Sequence, residues 1–349
     1  MKETKMVIAV EIRFSEDHHQ NFIYQSFKRI TAQHPQYSFI FIFDKAFEPS
    51  FIFSENVTAI VVKAQNISLL TDLKISSLLK KYKADVLVTA KYLSQTKVPQ
   101  CLVACDKLKL TSLKKAVNII TDSEFSKKEI IENYKINGDK SDNYRIDVVY
   151  KGVDEIFQPV TFEQKEKVKE KYTSGNEYFL YAGTTFGNDL LNLLKAFSSF
   201  KKMQKSNMQL LIAIKTNPPK EFLETLRLFK FKSEVQILDV SKNELAAVTA
   251  SAYAFVYPFA KGYLYALQAM RSGVPVITSN AGYMPEICGD AALYFDHNDH
   301  KKIADKMMLV HKDENLRQQL IDKGRDRVKK YSWDNSADSL WKCIEKACW

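Results

Sequence analysis

The stretch KGYLYALQAMRSGVPVITSN, residues 261–280, has the layout of an anion-binding loop. Gly262 marks a turn, the run from Tyr263 to Arg271 has helical character, and VPVITS reads as a buried strand. A helix that opens on a glycine turn points unpaired N–H groups and the positive end of its dipole outward, an arrangement that suits phosphate. Lys261 and Gln268 are the side chains placed to grip such a guest. A lysine there can meet a phosphate or stand as a solvated loop cation, and a neutral amide can hydrogen-bond a hydroxyl. Other reactive residue types form weaker patterns. His18 and His19 are adjacent, which fits a proton-handling pair or two surface histidines. Cys101, Cys105, Cys288, Cys343 and Cys348 are odd in number and show no CxxC pair, which argues against a metal site and a disulfide framework and for a reduced, cytoplasmic setting.

These residues sit between short apolar runs that alternate with helical stretches. In the first half the runs are 6–10, 37–44, 57–62, 85–90, 100–105, 117–122 and 147–150. Several are apolar without interruption, as expected of parallel strands covered on both faces. Helices are expected between them, including 20–33 and 123–135, the second capped by Asp122 or Ser123. YKGVDEIFQPV, at 150–160, breaks the pattern with Gly152 and Pro159, after which a second series of runs starts at 178, 209, 234, 252, 274 and 291. The alternation predicts an α/β chain of two doubly wound, Rossmann-like parallel-sheet domains facing across a cleft, with ligands at the carboxyl ends of the strands. The expected division is 1–155, 156–331 and 332–349, the last a helix capped by Ser332.

Composition narrows the partners. The 349 residues are 46% hydrophobic and 12% aromatic, enough for two cores and against disorder. The formal charge of +10 suits a phosphorylated ligand, an anionic membrane surface or nucleic acid. Many lysines alternate with glutamates, as in FEQKEKVKEKY (162–172), which fits a solvated helix face. There is no nucleic-acid-binding motif, and no stretch approaches the length of a membrane span. Peripheral membrane contact stays open.

YFLYAGTTFGNDLLNLLKAFSSFK and the long run from VSKNELAAVTAS to GDAALYFDHND resemble the donor-binding domain of retaining GT-B-fold glycosyltransferases of the group 1 type. IITDSEFSKKEIIENYKI and IDVVYKGVDEIFQPV resemble the segments that end the first domain of that family. The resemblance implies a transferase that moves a sugar from a nucleotide diphosphate donor to an acceptor with retention, and it makes 1–155 a shortened acceptor-side domain, 156–331 the nucleotide-sugar-binding domain and 332–349 a helix that crosses back to the first domain. It implies no bound metal and no cofactor other than the donor substrate.

The same resemblance directs attention to particular positions. Relatives carry two glutamates separated by seven residues, the first addressing the sugar and the second the ribose. Lys261 and Gln268 stand here, with six residues between them. Where relatives carry a basic pair after the first strand of the second domain, this chain has Gly183, Thr184 and Thr185, whose N–H and hydroxyl groups can donate, followed by Asn188 or Asp189 as a helix cap. Lys215, after LLIAI, is the nearest remaining cation. Ser279 and Glu286 lie in loops that adjoin the donor in relatives. The family's His-Asp pair reads Cys105-Asp106, leaving Asp106 as the catalytic candidate, and the glycine turn after the first strand is missing. Between QCLVACD and VNIITD a shortened segment suggests a reduced acceptor wall. Two expectations follow. One is an active glycosyltransferase taking a nucleotide sugar and an acceptor of unknown kind. The other is a catalytically degenerate relative serving as protein partner or regulator.

Overall fold

The computed structural model describes the chain except residues 1–5, 13–17, 44–53, 63–68, 91–95, 105–115, 135–144, 185, 297–298 and 349. It separates into two compact units, Met1–Gly152 with Ser332–Trp349, and Val153–Tyr331.

The first unit is built on a parallel sheet of β1 (Val7–Ile12), β2 (Ser38–Phe43), β3 (Val57–Val61), β4 (Val86–Thr89), β5 (Gln100–Val103), β6 (Asn118–Thr121) and β7 (Arg145–Val148), in the order β3-β2-β1-β4-β5-β6-β7. Strand periodicity splits its side chains between two faces. Ile8, Val10, Ile12, Phe39, Phe41 and Phe43 point to one cluster, and Ala9, Ile40, Ile42 and Leu87 to the other. Covering both faces requires helices on both, which is why the central strands are mostly apolar rather than alternating. On the first face lie α1 (His18–Gln33) and the last helix of the chain, residues 333–348; on the second lies α2 (Leu69–Lys81). Phe27 of α1 meets Phe39 and Phe41 edge-on, at 6.3 and 6.0 Å between centroids. After β6, α3 (Glu124–Asn133) begins where Ser123 accepts a hydrogen bond from the Ser126 N–H.

The second unit carries β8 (Tyr178–Gly183), β9 (Gln209–Ile214), β10 (Val235–Leu238), β11 (Ala254–Tyr257), β12 (Val276–Ser279) and β13 (Ala292–Phe295), all parallel, in the order β10-β9-β8-β11-β12-β13. Its helices are α4 (Phe162–Thr173), α5 (Asn188–Gln204), α6 (Lys220–Leu228), α7 (Lys242–Ala250), α8 (Leu264–Arg271), α9 (Met284–Cys288), α10 (His300–Lys312) and α11 (Glu314–Val328). α4 begins with a reciprocal capping box between Thr161 and Gln164. Its lysines are not all solvated: Lys169 is 8% exposed and pairs with Glu166 and, at 2.5 Å, with Glu177. α5 starts differently from expectation. Gly187 occupies the cap in extended backbone with no side-chain cap bond, and Asn188 and Asp189 lie within the first turn.

The chain returns to the first unit through α12 (Trp333–Cys348), whose first turn is capped by the Ser332 hydroxyl accepting from Asn335 N–H at 3.0 Å. Trp341 of α12 stacks on His34 with 3.9 Å between ring centroids. No described helix is long and apolar enough to cross a membrane.

Candidate functional site

The strand order of the second unit brings the loops after β9, β8, β11 and β12 side by side at the carboxyl edge of one sheet. Thr184 follows β8 and is exposed; Lys215 and Thr216 follow β9 and are exposed. The Thr216 hydroxyl donates to the Thr184 carbonyl at 3.4 Å, tying those two loops together. Lys261 and Gly262 are exposed between β11 and α8. Thr185, Cys105 and Asp106 lie outside the described residues, as do the side chains of His18 and His19.

The turn at Lys261–Gly262 is shaped from beneath by aromatic side chains. Tyr257, the last residue of β11, donates its hydroxyl to the Lys261 carbonyl at 2.6 Å. Gly262 has φ +87°, and a Cβ there would fall on the Tyr257 hydroxyl. Glycine is therefore required both by the backbone angle and by the space. Gly183 is held to glycine by the same device without a positive φ, since a Cβ would meet the Tyr181 hydroxyl. Tyr181 and Tyr257 stack at 6.0 Å, Phe259 lies 5.7 and 5.8 Å from them, and Tyr265 stacks on Tyr257 at 6.2 Å. Burial pushes the Tyr257 phenol well above its ordinary value and raises that of Tyr265, so both stay neutral hydrogen-bonding groups. This tyrosine layer is the feature that motif reading missed. Its signal is a tyrosine near the end of each of two neighbouring apolar runs, YFLYAG and AFVYP.

Gln268 lies in the second turn of α8 and is 9% exposed, and among the described residues nothing hydrogen-bonds its carboxamide. A nearly buried amide without a protein partner is a ready donor and acceptor for a bound hydroxyl. Ser279 has another task. It is fully buried, its hydroxyl donates to the Phe259 carbonyl at 3.4 Å and accepts from the Ala281 N–H at 3.5 Å. Glu286 sits in α9, where its carbonyl and that of Ile287 accept from the Arg327 guanidinium. The structure thus sets Thr184, Lys215, Lys261 and Gly262 along one edge, with Gln268 a short way into α8. Among the described residues no cluster of three or more His, Cys, Asp or Glu side chains could hold a metal ion.

In the first unit a buried ion pair joins the ends of β6 and β7. Lys151 Nζ lies 3.1 Å from Asp122 Oδ2, and the Ser126 hydroxyl donates to Asp122 Oδ1 at 2.9 Å. The sequence offered a weak sign of it, a lysine just before Gly152 where the chain turns toward the second unit.

Residues 162–327 match the family described as glycosyl transferases group 1. The chain is 29% identical over 230 residues to O-antigen chain mannosyltransferase B of Escherichia coli, a stretch covering 64% of this chain and 59% of that protein. The chain spans about half to three-fifths of the length of the curated relatives it matches. Among solved structures, a glycosyltransferase from Rickettsia africae superposes with a TM-score of 0.78 at 18% identity, over 99% of this chain and 98% of the other. HepE of Anabaena, solved with UDP-glucose, superposes with a TM-score of 0.74 at 10% identity, over 98% of this chain and 100% of the other. Two parallel-sheet α/β units and these neighbours define the GT-B fold, and the second unit carries the segment that matches the group 1 glycosyltransferase family.

Proposed function

We propose that the chain transfers a sugar from a nucleotide diphosphate donor, with retention, and that the donor binds at the carboxyl edge of the second unit's sheet. The observation that carries this reading is the placement of Thr184, Lys215, Lys261 and Gln268 on neighbouring loops and the following helix, all within the matched family segment. Lys215 and Lys261 supply positive charge for the diphosphate as it departs. The start of α8 adds backbone N–H groups and the positive end of a helix dipole. The Gln268 carboxamide addresses a ribose or sugar hydroxyl, more weakly than a carboxylate would. Asp106 is the proposed catalytic acid from the first unit. The name of the Escherichia coli relative favours mannose as the sugar, and the UDP-glucose held by HepE favours a nucleotide sugar as the donor class. No cofactor beyond the donor is proposed.

Isothermal titration with UDP-, GDP- and ADP-sugars, followed by donor-hydrolysis assays, tests the reading. Lys215→Ala and Lys261→Ala should each weaken donor binding about tenfold, as the loss of one charge-assisted contact implies. Absence of binding and turnover across the panel refutes it. That outcome would favour the second reading, a catalytically degenerate partner of another glycosyltransferase. The observation behind this alternative is that Lys261 and Gln268 carry no carboxylate where relatives carry two.

A further inference from the structure

At the opposite end of the same sheet, where β8, β9 and β10 begin, the second unit holds a groove of about 570 Å3. That volume is in the range of small-molecule sites. Its cations come from three segments: Lys202 from the last turn of α5, Lys205 from the loop that follows, and Lys230 from the connection after α6. Among the described residues no carboxylate lies within ion-pair distance of any of these three ammonium groups. Lysines at a helix C-terminus commonly do no more than answer the helix dipole. Here that task falls to a fourth residue. Lys201 is 6% exposed and donates to the Ser206 carbonyl and, at 3.1 Å, to the Met208 carbonyl. It also pairs with Glu234, the one carboxylate among the described lining residues, and so cancels its charge. The groove keeps a surplus of three positive charges. Two oxygens behind its wall, Ser206 Oγ and Gln209 Oε1, are buried and have no hydrogen-bond partner among the described residues.

We propose that this groove binds a phosphomonoester, with Lys202, Lys205 and Lys230 around the phosphate. The site is separate from the donor edge, which lies at the other ends of the same strands. Two sources present the same chemistry, a soluble phosphomonoester and the headgroup of phosphatidic acid in a membrane. The groove's volume exceeds what inorganic phosphate fills, leaving room for the organic group that the ester carries.

The test uses the full chain and two charge-matched triple variants. The groove variant is Lys202→Gln, Lys205→Asn and Lys230→Gln; asparagine suits the left-handed backbone of Lys205, φ +48°. The control variant, Lys167→Gln, Lys301→Gln and Lys302→Gln, removes the same charge from other exposed helix positions of the same unit. Circular dichroism establishes that all three proteins are folded. Binding of sn-glycerol 3-phosphate is measured by isothermal titration, and binding to phosphatidic acid vesicles against phosphatidylcholine vesicles by flotation. Saturable binding to either phosphomonoester, weakened about tenfold or more by the groove variant and unchanged in the control, is the expected result. Titration alone positive identifies a soluble ligand, and flotation alone positive identifies the lipid headgroup. Binding to neither probe overturns the proposal, as does equal weakening in both variants, which would reduce the effect to net charge.

Discussion

Gly262→Ala is the substitution whose cost can be worked out most directly. The backbone at position 262 has φ +87°, and an added Cβ would coincide with the Tyr257 hydroxyl that holds the Lys261 carbonyl at 2.6 Å. The backbone angle costs an L-residue about 1–2 kcal/mol. Displacing the tyrosine removes a hydrogen bond worth about 1 kcal/mol. The expected destabilisation of the second unit is therefore about 2–3 kcal/mol. Tyr257→Phe alone removes the hydrogen bond and costs about 1 kcal/mol. In that background the nearest atom to a new Cβ is the ring Cζ at 3.3 Å, which a small ring shift relieves, so Gly262→Ala should cost only the backbone strain. The two changes then couple by about 1 kcal/mol, measured as a double-mutant cycle on the urea transition of the second unit. A coupling within about 0.3 kcal/mol of zero, or a Gly262→Ala cost below about 1 kcal/mol, would refute the claim that the tyrosine layer dictates this turn.

Burial holds the imidazoles of His34 and His311 below their ordinary pKa, with Asp338 and Glu345 opposing the shift at His34 and Lys312 reinforcing it at His311. The folded state then binds fewer protons than the unfolded chain below the ordinary histidine value, so stability should fall as pH drops from 7 toward 5; urea midpoints at each pH check this, and His311→Phe should flatten the slope. Trp341→Ala should cost the first unit about 3–4 kcal/mol in urea unfolding, because the indole is 5% exposed and stacks on His34. Lys151→Ala should cost about 2 kcal/mol, less than a typical broken buried pair because Asp122 keeps the Ser126 hydroxyl; Lys151→Ala with Asp122→Asn should recover part of it in the same assay.

How much was legible in the residues follows from the range of the forces involved. Each apolar run noted in the sequence corresponds to a strand, from VIAVEI to ALYF, because a strand covered on both faces draws mostly on apolar residues. Ser123 and Ser332 announced their helices because a cap is a bond between residues three apart. Asn188 failed as a cap for the same reason of scale: the helix could begin one residue earlier, at a glycine, without changing its buried face. The likeness of the second unit to group 1 glycosyltransferases was also legible, since it rests on runs of adjacent residues.

Contacts between distant residues were not legible. Sequence alone could name Lys215, Lys261 and Gln268, but the order β9-β8-β11-β12 sets their loops on one edge. It could not show that Ser279 is fully buried and bonded to Phe259, or that the Gln268 carboxamide is nearly buried with no hydrogen-bond partner among the described residues. Nor could it show why Gly183 and Gly262 must be glycine, because in each case the reason is a tyrosine hydroxyl at the end of a strand. The residues by themselves determined the elements, their alternation and the match of the second unit to the group 1 family, since those depend on spacing along the chain. Only the tertiary structure decided which polar groups remain free to meet a ligand, because that depends on which neighbours packing brings to them.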